Sequence, residues 1–262
     1  VVNVSMAAIS SYTLLDFTDE ILAQKPDLLL FYAGHNEFYG AMGVGSMESL
    51  GRNPAVVRTF LRLGRFRLFL LMRDIAGSIR KTTARTVHGT AGDDPTATLM
   101  ARIVAEQAIP LESPLYERGK DQFRRNLITI LEKAQNAGVP VLMSELVSNI
   151  RDQKPFVSEK TGSHPPAGAV YAQAQMHEQA GQIDAARSAF YRAKDLDALR
   201  FRATEEFNGI IHEVAKESRI PVVPMKYYFE QASRDGLIGD LLMSDHLHPN
   251  MTGYFLMAEA FY

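Results

Sequence analysis

The sequence predicts an α/β domain built on a mostly parallel sheet, and three features carry the prediction. Short apolar runs recur at Asp27–Ala33, Val139–Val147 and Ile220–Met225. Stretches with apolar residues three and four apart lie before or between them. Lys25-Pro26 and Gly138 fall where a helical pattern gives way to an apolar run. Helix-then-strand units in series imply parallel neighbours, because a parallel pair needs a long crossover and a helix supplies it.

Taken in order, Val1–Ser5 reads as a strand. Tyr12–Gln24 reads as a helix with Leu15, Ile21 and Leu22 on one side. Asp27–Ala33 (D-L-L-L-F-Y-A) is continuously apolar, which predicts a strand covered on both faces. Tyr116–Ala137 carries Phe123, Leu127, Ile130, Leu131 and Ala134 on one stripe and is ended by Gly138. Val139–Val147 is the next strand, Thr204–Ser218 a helix, Ile220–Met225 a strand, and a last helix starts near Met251. All 262 residues are expected to form one domain with two largely helical insertions, at 40–113 and 151–203. The opening V-V-N-V-S reads as mid-strand and the closing F-L-M-A-E-A-F-Y as an unfinished helix, so both ends are expected to be truncated.

Hydrophobic residues make up 46% and charged residues 22% of the chain, which is enough for a sizeable core. A net charge of −2 gives no basis for a nucleic-acid partner. Cysteine is absent, which excludes thiol catalysis, disulfides and Cys-based zinc sites. No uninterrupted apolar stretch is long enough to predict a transmembrane helix.

The first insertion contains R-T-F-L-R-L-G-R-F-R-L-F-L-L-M-R, Arg58–Arg73, which is both basic and apolar. It reads either as a peripheral helix on an anionic membrane or as a packed helix whose Arg stems lie along apolar surface. Thr82–Thr98 is polar and Gly-containing and reads as a loop. In the second insertion Lys154–Gly168 is irregular, followed by a helical hairpin at about Ala169–Gln179 and Ile183–Ala193. Gly181, Ala186, Phe190 and Ala193 have the spacing of the second half of a tetratricopeptide repeat. One such unit cannot bury its own face, so the hairpin is expected to dock on the main domain, with a protein partner there as the other reading.

Chemistry concentrates in two short pieces. Asp245 stands three residues before His248, with Pro249 fixing the backbone behind it. This suits a carboxylate that orients an imidazole acting as general base. Asn36, in Gly34–Glu37 (G-H-N-E), follows directly on an expected strand, and its amide can donate to a developing oxyanion. Ligands of open α/β sheets bind beyond the carboxyl ends of strands, so the two pieces are expected at one edge. His35 and His246, which flank these groups, could with His248 and Asp245 instead bind a metal, although the context of Asn36 and Pro249 suits acyl transfer better. Arg200 and Arg202 could clamp an anion or pair with Asp195 or Asp197, the second being the plainer reading. His88, His164, His177 and His212 read as surface or packing residues.

These motifs resemble the SGNH/GDSL hydrolase superfamily of serine esterases and acyl hydrolases. Gly34–Glu37 resembles its third block, Asp245–Pro249 (D-H-L-H-P) its fourth, and Asn3–Ser11 its second, with Ala8 where Gly is usual. The run G-H-N-E-F-Y, with the repeat-like hairpin, resembles a membrane-linked bacterial branch of that superfamily. The resemblance implies a three-layer flavodoxin-like fold. It also implies His248 as base, Asp245 as its partner, and an oxyanion hole from Asn36 and the Ala8 N–H, beside Gly34. Ala8 would be a liability if the hole requires positive φ there. Glu37 replaces the family's Asp and is expected to support the loop. The implied substrate is a small ester or an acylated carbohydrate, with no cofactor and no metal. No Gly-Asp-Ser occurs in the chain, so the nucleophile is expected upstream of Val1. The competing function is a non-catalytic scaffold that binds a partner or membrane through the insertions. An extracytoplasmic location follows from the resemblance alone.

Overall fold

The structure, a computed structural model, describes residues 1–45, 56, 59, 63, 64, 66–75, 108–160 and 162–262. The chain divides into two compact units, Val1–Glu48 with Ala108–Tyr262, and Ser49–Gln107.

In the larger unit the order is α1 (Ser11–Ala23), β1 (Leu29–Phe31), α2 (Pro114–Asn136), β2 (Val141–Ser144), α3 (Ala167–Gln179), α4 (Ile183–Leu196), α5 (Glu205–Ser218), β3 (Val222–Val223), α6 (Met225–Ala232) and α7 (Met251–Phe261). The three strands form a parallel sheet in the order β1-β2-β3, with Leu29 opposite Val141 and Met143 opposite Val222. The predicted α/β character with a parallel sheet is therefore present.

Local chemistry explains the boundaries. The Ser113 side chain accepts the Tyr116 N–H, and Pro114 opens α2, where a missing N–H costs nothing. Glu117 in the first turn and Lys133 in the last complement the helix dipole. Strand β2 is shorter than the apolar run Val139–Val147, because beyond Ser144 a side chain replaces the neighbouring strand. The Asn208 amide accepts the Leu146 N–H at 2.7 Å and donates to the Leu146 carbonyl at 3.1 Å. The run Ile220–Met225 is cut at Pro224, which has no N–H for a ladder, and Met225 opens a helix that the apolar pattern did not predict.

Alternate strand residues feed two cores, as the period of two requires. Val141, Met143 and Val222 join Phe38, Tyr116, Phe123, Leu127, Phe207 and Ile211. Leu142 and Val223 join Val147, Phe190, Met225, Phe229, Ile238 and Met257. Each fully buried Phe contributes roughly 1.5–3 kcal/mol. The hairpin α3–α4 is docked, as predicted: Ala174, Ala186 and Phe190 are spent in this second core.

Two strand expectations fail. Val1–Ser5 forms no strand and is exposed, because no described residue offers it a ladder. β1 is not covered on both faces: Leu28 and Leu30 are 48% and 52% exposed, and β1 is an edge strand among the described residues.

In the smaller unit, residues 67–75 are helical, with Leu68, Leu71, Met72 and Ile75 exposed along one stripe and Arg73 paired with Asp74. Most of Arg58–Gly64, and all of the expected loop Thr82–Thr98, lie outside the described residues. No helix among the described residues is long and apolar enough to cross a membrane.

Candidate active site

Residues 243–250 form a clamped loop. Met243 and Pro249 make an antiparallel bridge, and the Ser244 N–H donates to the His248 carbonyl at 2.8 Å. Asn250 caps α7 by accepting the Gly253 N–H, while its amide donates to the carbonyls of Asp240 and Leu241. Within this frame Asp245 Oδ1 accepts the N–H groups of Leu247 and His248, each at 2.8 Å. Asp245 Oδ2 lies 2.7 Å from His248 Nδ1. Burial alone would raise the Asp245 pKa. The His248 and Leu247 N–H groups and the His248 ring outweigh it and hold the carboxyl below its usual value. The aspartate is thus kept ionised and holds the ring by Nδ1, and Nε2 has no hydrogen-bond partner among the described residues.

Gly34–Glu37 forms a turn directly beyond β1. Gly34 has φ +153°, and a Cβ there would lie 2.6 Å from Leu146 Cδ1, so glycine is required on both counts. Asn36 is half-buried, and no described residue hydrogen-bonds its side chain. Gly40 brings this turn against the Asn3–Ser11 segment. A Cβ there would meet Asn36 O at 2.5 Å and Ile9 C at 2.7 Å, and the Ala41 N–H donates to Ala8 O. Ala8 has φ +56°, a left-handed conformation that costs a non-glycine residue roughly 1–2 kcal/mol.

Glu37 supports the loop. Its buried carboxylate accepts the Ser11 N–H at 2.9 Å, the Ser11 hydroxyl at 2.8 Å and the Gln122 amide at 2.6 Å, and Asn126 donates to Ser11 Oγ. Sequence reasoning missed Gln122 and Asn126, although two polar residues inside the buried stripe of α2 were a readable signal. Burial raises the Glu37 pKa to about 7, against the lowering effect of the Ser11 and Gln122 bonds. The sign follows: a raised pKa means that protonation favours the folded state. This contribution is full below about pH 4.5 and is lost as pH rises through 7, by up to about 3 kcal/mol. Denaturation of wild type and Glu37→Gln from pH 4.5 to 8 checks it. The stability difference, wild type minus variant, should fall by that amount; a difference that does not change with pH rules the titration out.

Ring contacts connect the two pieces. Tyr39 lies 5.4 Å from Phe201, Phe201 lies 5.7 Å from His246, and His246 lies 6.3 Å from His248. Phe156, from the second insertion, meets His246 edge-on at 5.3 Å. His35 is buried, and burial followed by the charges of Lys194, His246 and His248 lowers its pKa to about 3.

The plainer reading of Arg200 and Arg202 holds: they are 1% and 2% exposed and serve partners within the fold. Arg202 pairs with Asp197 at 3.1 Å, and Arg200 donates to the carbonyls of Ile109 and Asp195. His164, His177 and His212 have partners in Glu112, Gln182 and Glu145, while His88 lies outside the described residues. Among the described residues no three His, Asp or Glu side chains are grouped to hold a metal ion. No family model matches the chain, and no curated protein matches it.

Proposed function

We propose that the chain carries the base and oxyanion side of an SGNH/GDSL-type serine ester hydrolase on a three-layer flavodoxin-like sheet. The observation that carries this reading is the 2.7 Å contact between Asp245 and His248 on a clamped loop, with the imidazole 60% exposed. The Asn36 amide, which has no hydrogen-bond partner among the described residues, supports it, as does the ring series Tyr39–Phe201–His246–His248 that starts three residues after Asn36.

In this reading the nucleophile is a serine upstream of Val1. His248 Nε2 takes the hydroxyl proton as Oγ attacks the ester carbonyl, and Asp245 stabilises the imidazolium. The Asn36 amide and the Ala8 N–H donate to the oxyanion, and Gly34 allows the turn that presents Asn36. The imidazolium then protonates the leaving alkoxide, and water completes the cycle through the same base. Small esters and acylated carbohydrates fit this chemistry, and a carbohydrate hydroxyl in place of water would make the protein an O-acyltransferase. With short p-nitrophenyl esters and the full-length protein, Asn36→Ala is expected to lower kcat about 10²- to 10³-fold. Unchanged turnover would reject the oxyanion assignment.

A second reading concerns the smaller unit. The exposed stripe Leu68, Leu71, Met72 and Ile75, with Arg67 and Arg73 beside it, suits peripheral contact with an anionic membrane. The protein is expected to float with phosphatidylserine vesicles at low salt and less at high salt; absence of flotation at low salt removes this reading.

A further inference from the structure

His35 is not one of the reacting groups in the mechanism above, yet it stands beside Asn36 and touches three separate segments. Its Nδ1 accepts the Ala203 N–H at 3.1 Å. Nδ1 is therefore unprotonated, and the neutral ring carries its hydrogen on Nε2. Nε2 lies 3.4 Å from the Tyr32 hydroxyl. That hydroxyl also accepts the Val147 N–H at 3.3 Å and donates to the Val147 carbonyl at 3.4 Å. The buried ring thus links the turn after β1 directly to the strap that ends the second insertion, residues 197–203, and through Tyr32 to the loop after β2.

The strap is itself fixed. Asp197 accepts the N–H groups of Phe156, Val157 and Leu199 and pairs with Arg202, whose guanidinium donates to the carbonyls of Asn149 and Gln153. The Asn36 side chain has no protein partner among the described residues, so only its backbone determines where the amide points. On one side that backbone is held by the Gly40 N–H, which donates to the Asn36 carbonyl at 2.7 Å. On the other side the holding group is the His35 ring.

We propose that His35 is a positioning residue that fixes the Asn36 amide by tying its turn to the insertion strap at Ala203. This rests on the esterase reading for its catalytic consequence, but the positioning stands on geometry alone. A displacement of about 1 Å at a catalytic group can cost about 10²-fold, so the expected loss of kcat in His35→Ala is about 10- to 100-fold with little change in KM.

A double-mutant cycle with Asn36→Ala tests it on the full-length protein and a short p-nitrophenyl ester. If His35 acts through Asn36, the loss from His35→Ala shrinks to less than about threefold in the Asn36→Ala background. An equal loss in both backgrounds overturns the positioning role while leaving the esterase reading intact. Unchanged turnover in Asn36→Ala alone sinks the oxyanion assignment instead. Should His35→Ala fail to fold, His35→Leu, which fills the space but offers Ala203 no acceptor, replaces it in the cycle. A second readout needs no turnover. The side-chain amide resonances of Asn36, assigned by their loss in Asn36→Ala, should shift or broaden in His35→Leu, and an unmoved pair overturns the proposal.

Discussion

His248→Ala is expected to lower kcat for short esters by about 10⁴- to 10⁶-fold, a range set by serine hydrolases in which the base and nucleophile act as a unit. The reason lies in the loop. Asp245 places both carboxylate oxygens on the His248 segment, one on the backbone and one on the ring. The imidazole is therefore held by its Nδ1 edge, and alanine removes the proton acceptor without disturbing the clamp at Met243, Pro249 and Asn250. The expected result is full thermal stability with turnover lost. Measured kcat within tenfold of wild type would end the assignment of His248 as base.

The second large effect is on stability. Arg202 and Asp197 are each 2% exposed and pair at 3.1 Å. Removing one member of a buried pair leaves an uncompensated charge and costs about 3–5 kcal/mol. For Arg202→Met the loss also strands the Asn149 carbonyl, which the guanidinium serves at 2.8 Å. In wild type Arg202 Nε has no hydrogen-bond partner among the described residues, which places the wild-type pair short of ideal. A melting temperature lower by about 10 °C follows for a chain of this size. Arg202→Met combined with Asp197→Asn should recover part of it, because the asparagine carries no buried charge and its Oδ1 can still accept the Val157 and Leu199 N–H groups. Denaturant unfolding decides the matter: a single variant within 1 kcal/mol of wild type would show that the pair does not hold the strap.

Much of the scaffold was readable along the chain. The stripe of Phe123, Leu127 and Ile130 marks α2, and the Gly181, Ala186 and Phe190 spacing marks the docked hairpin. Asp-x-x-His was readable because its geometry is local: the groups that touch are three positions apart. The failures have the same origin. Val1–Ser5 has the apolar residues of a strand but no ladder, and strands exist only in pairs. For Arg200 and Arg202 the plainer reading, pairing within the fold, holds for Arg202 with Asp197, while the carbonyls of Ile109 and Asn149 that they also serve were not legible in sequence.

The sequence by itself determined the alternation of helices and parallel strands, the turn at Gly34–Glu37 and the Asp245–His248 pair, since periodicity and short-range hydrogen bonds are written into neighbouring residues. Tertiary structure alone decided that His35 meets Ala203, 168 positions away, that Glu37 meets Gln122, 85 positions away, and that Phe156 of the second insertion meets His246, two residues before the candidate base. Such contacts are set by how distant segments close and pack, and no local pattern encodes the identity of a partner so far along the chain.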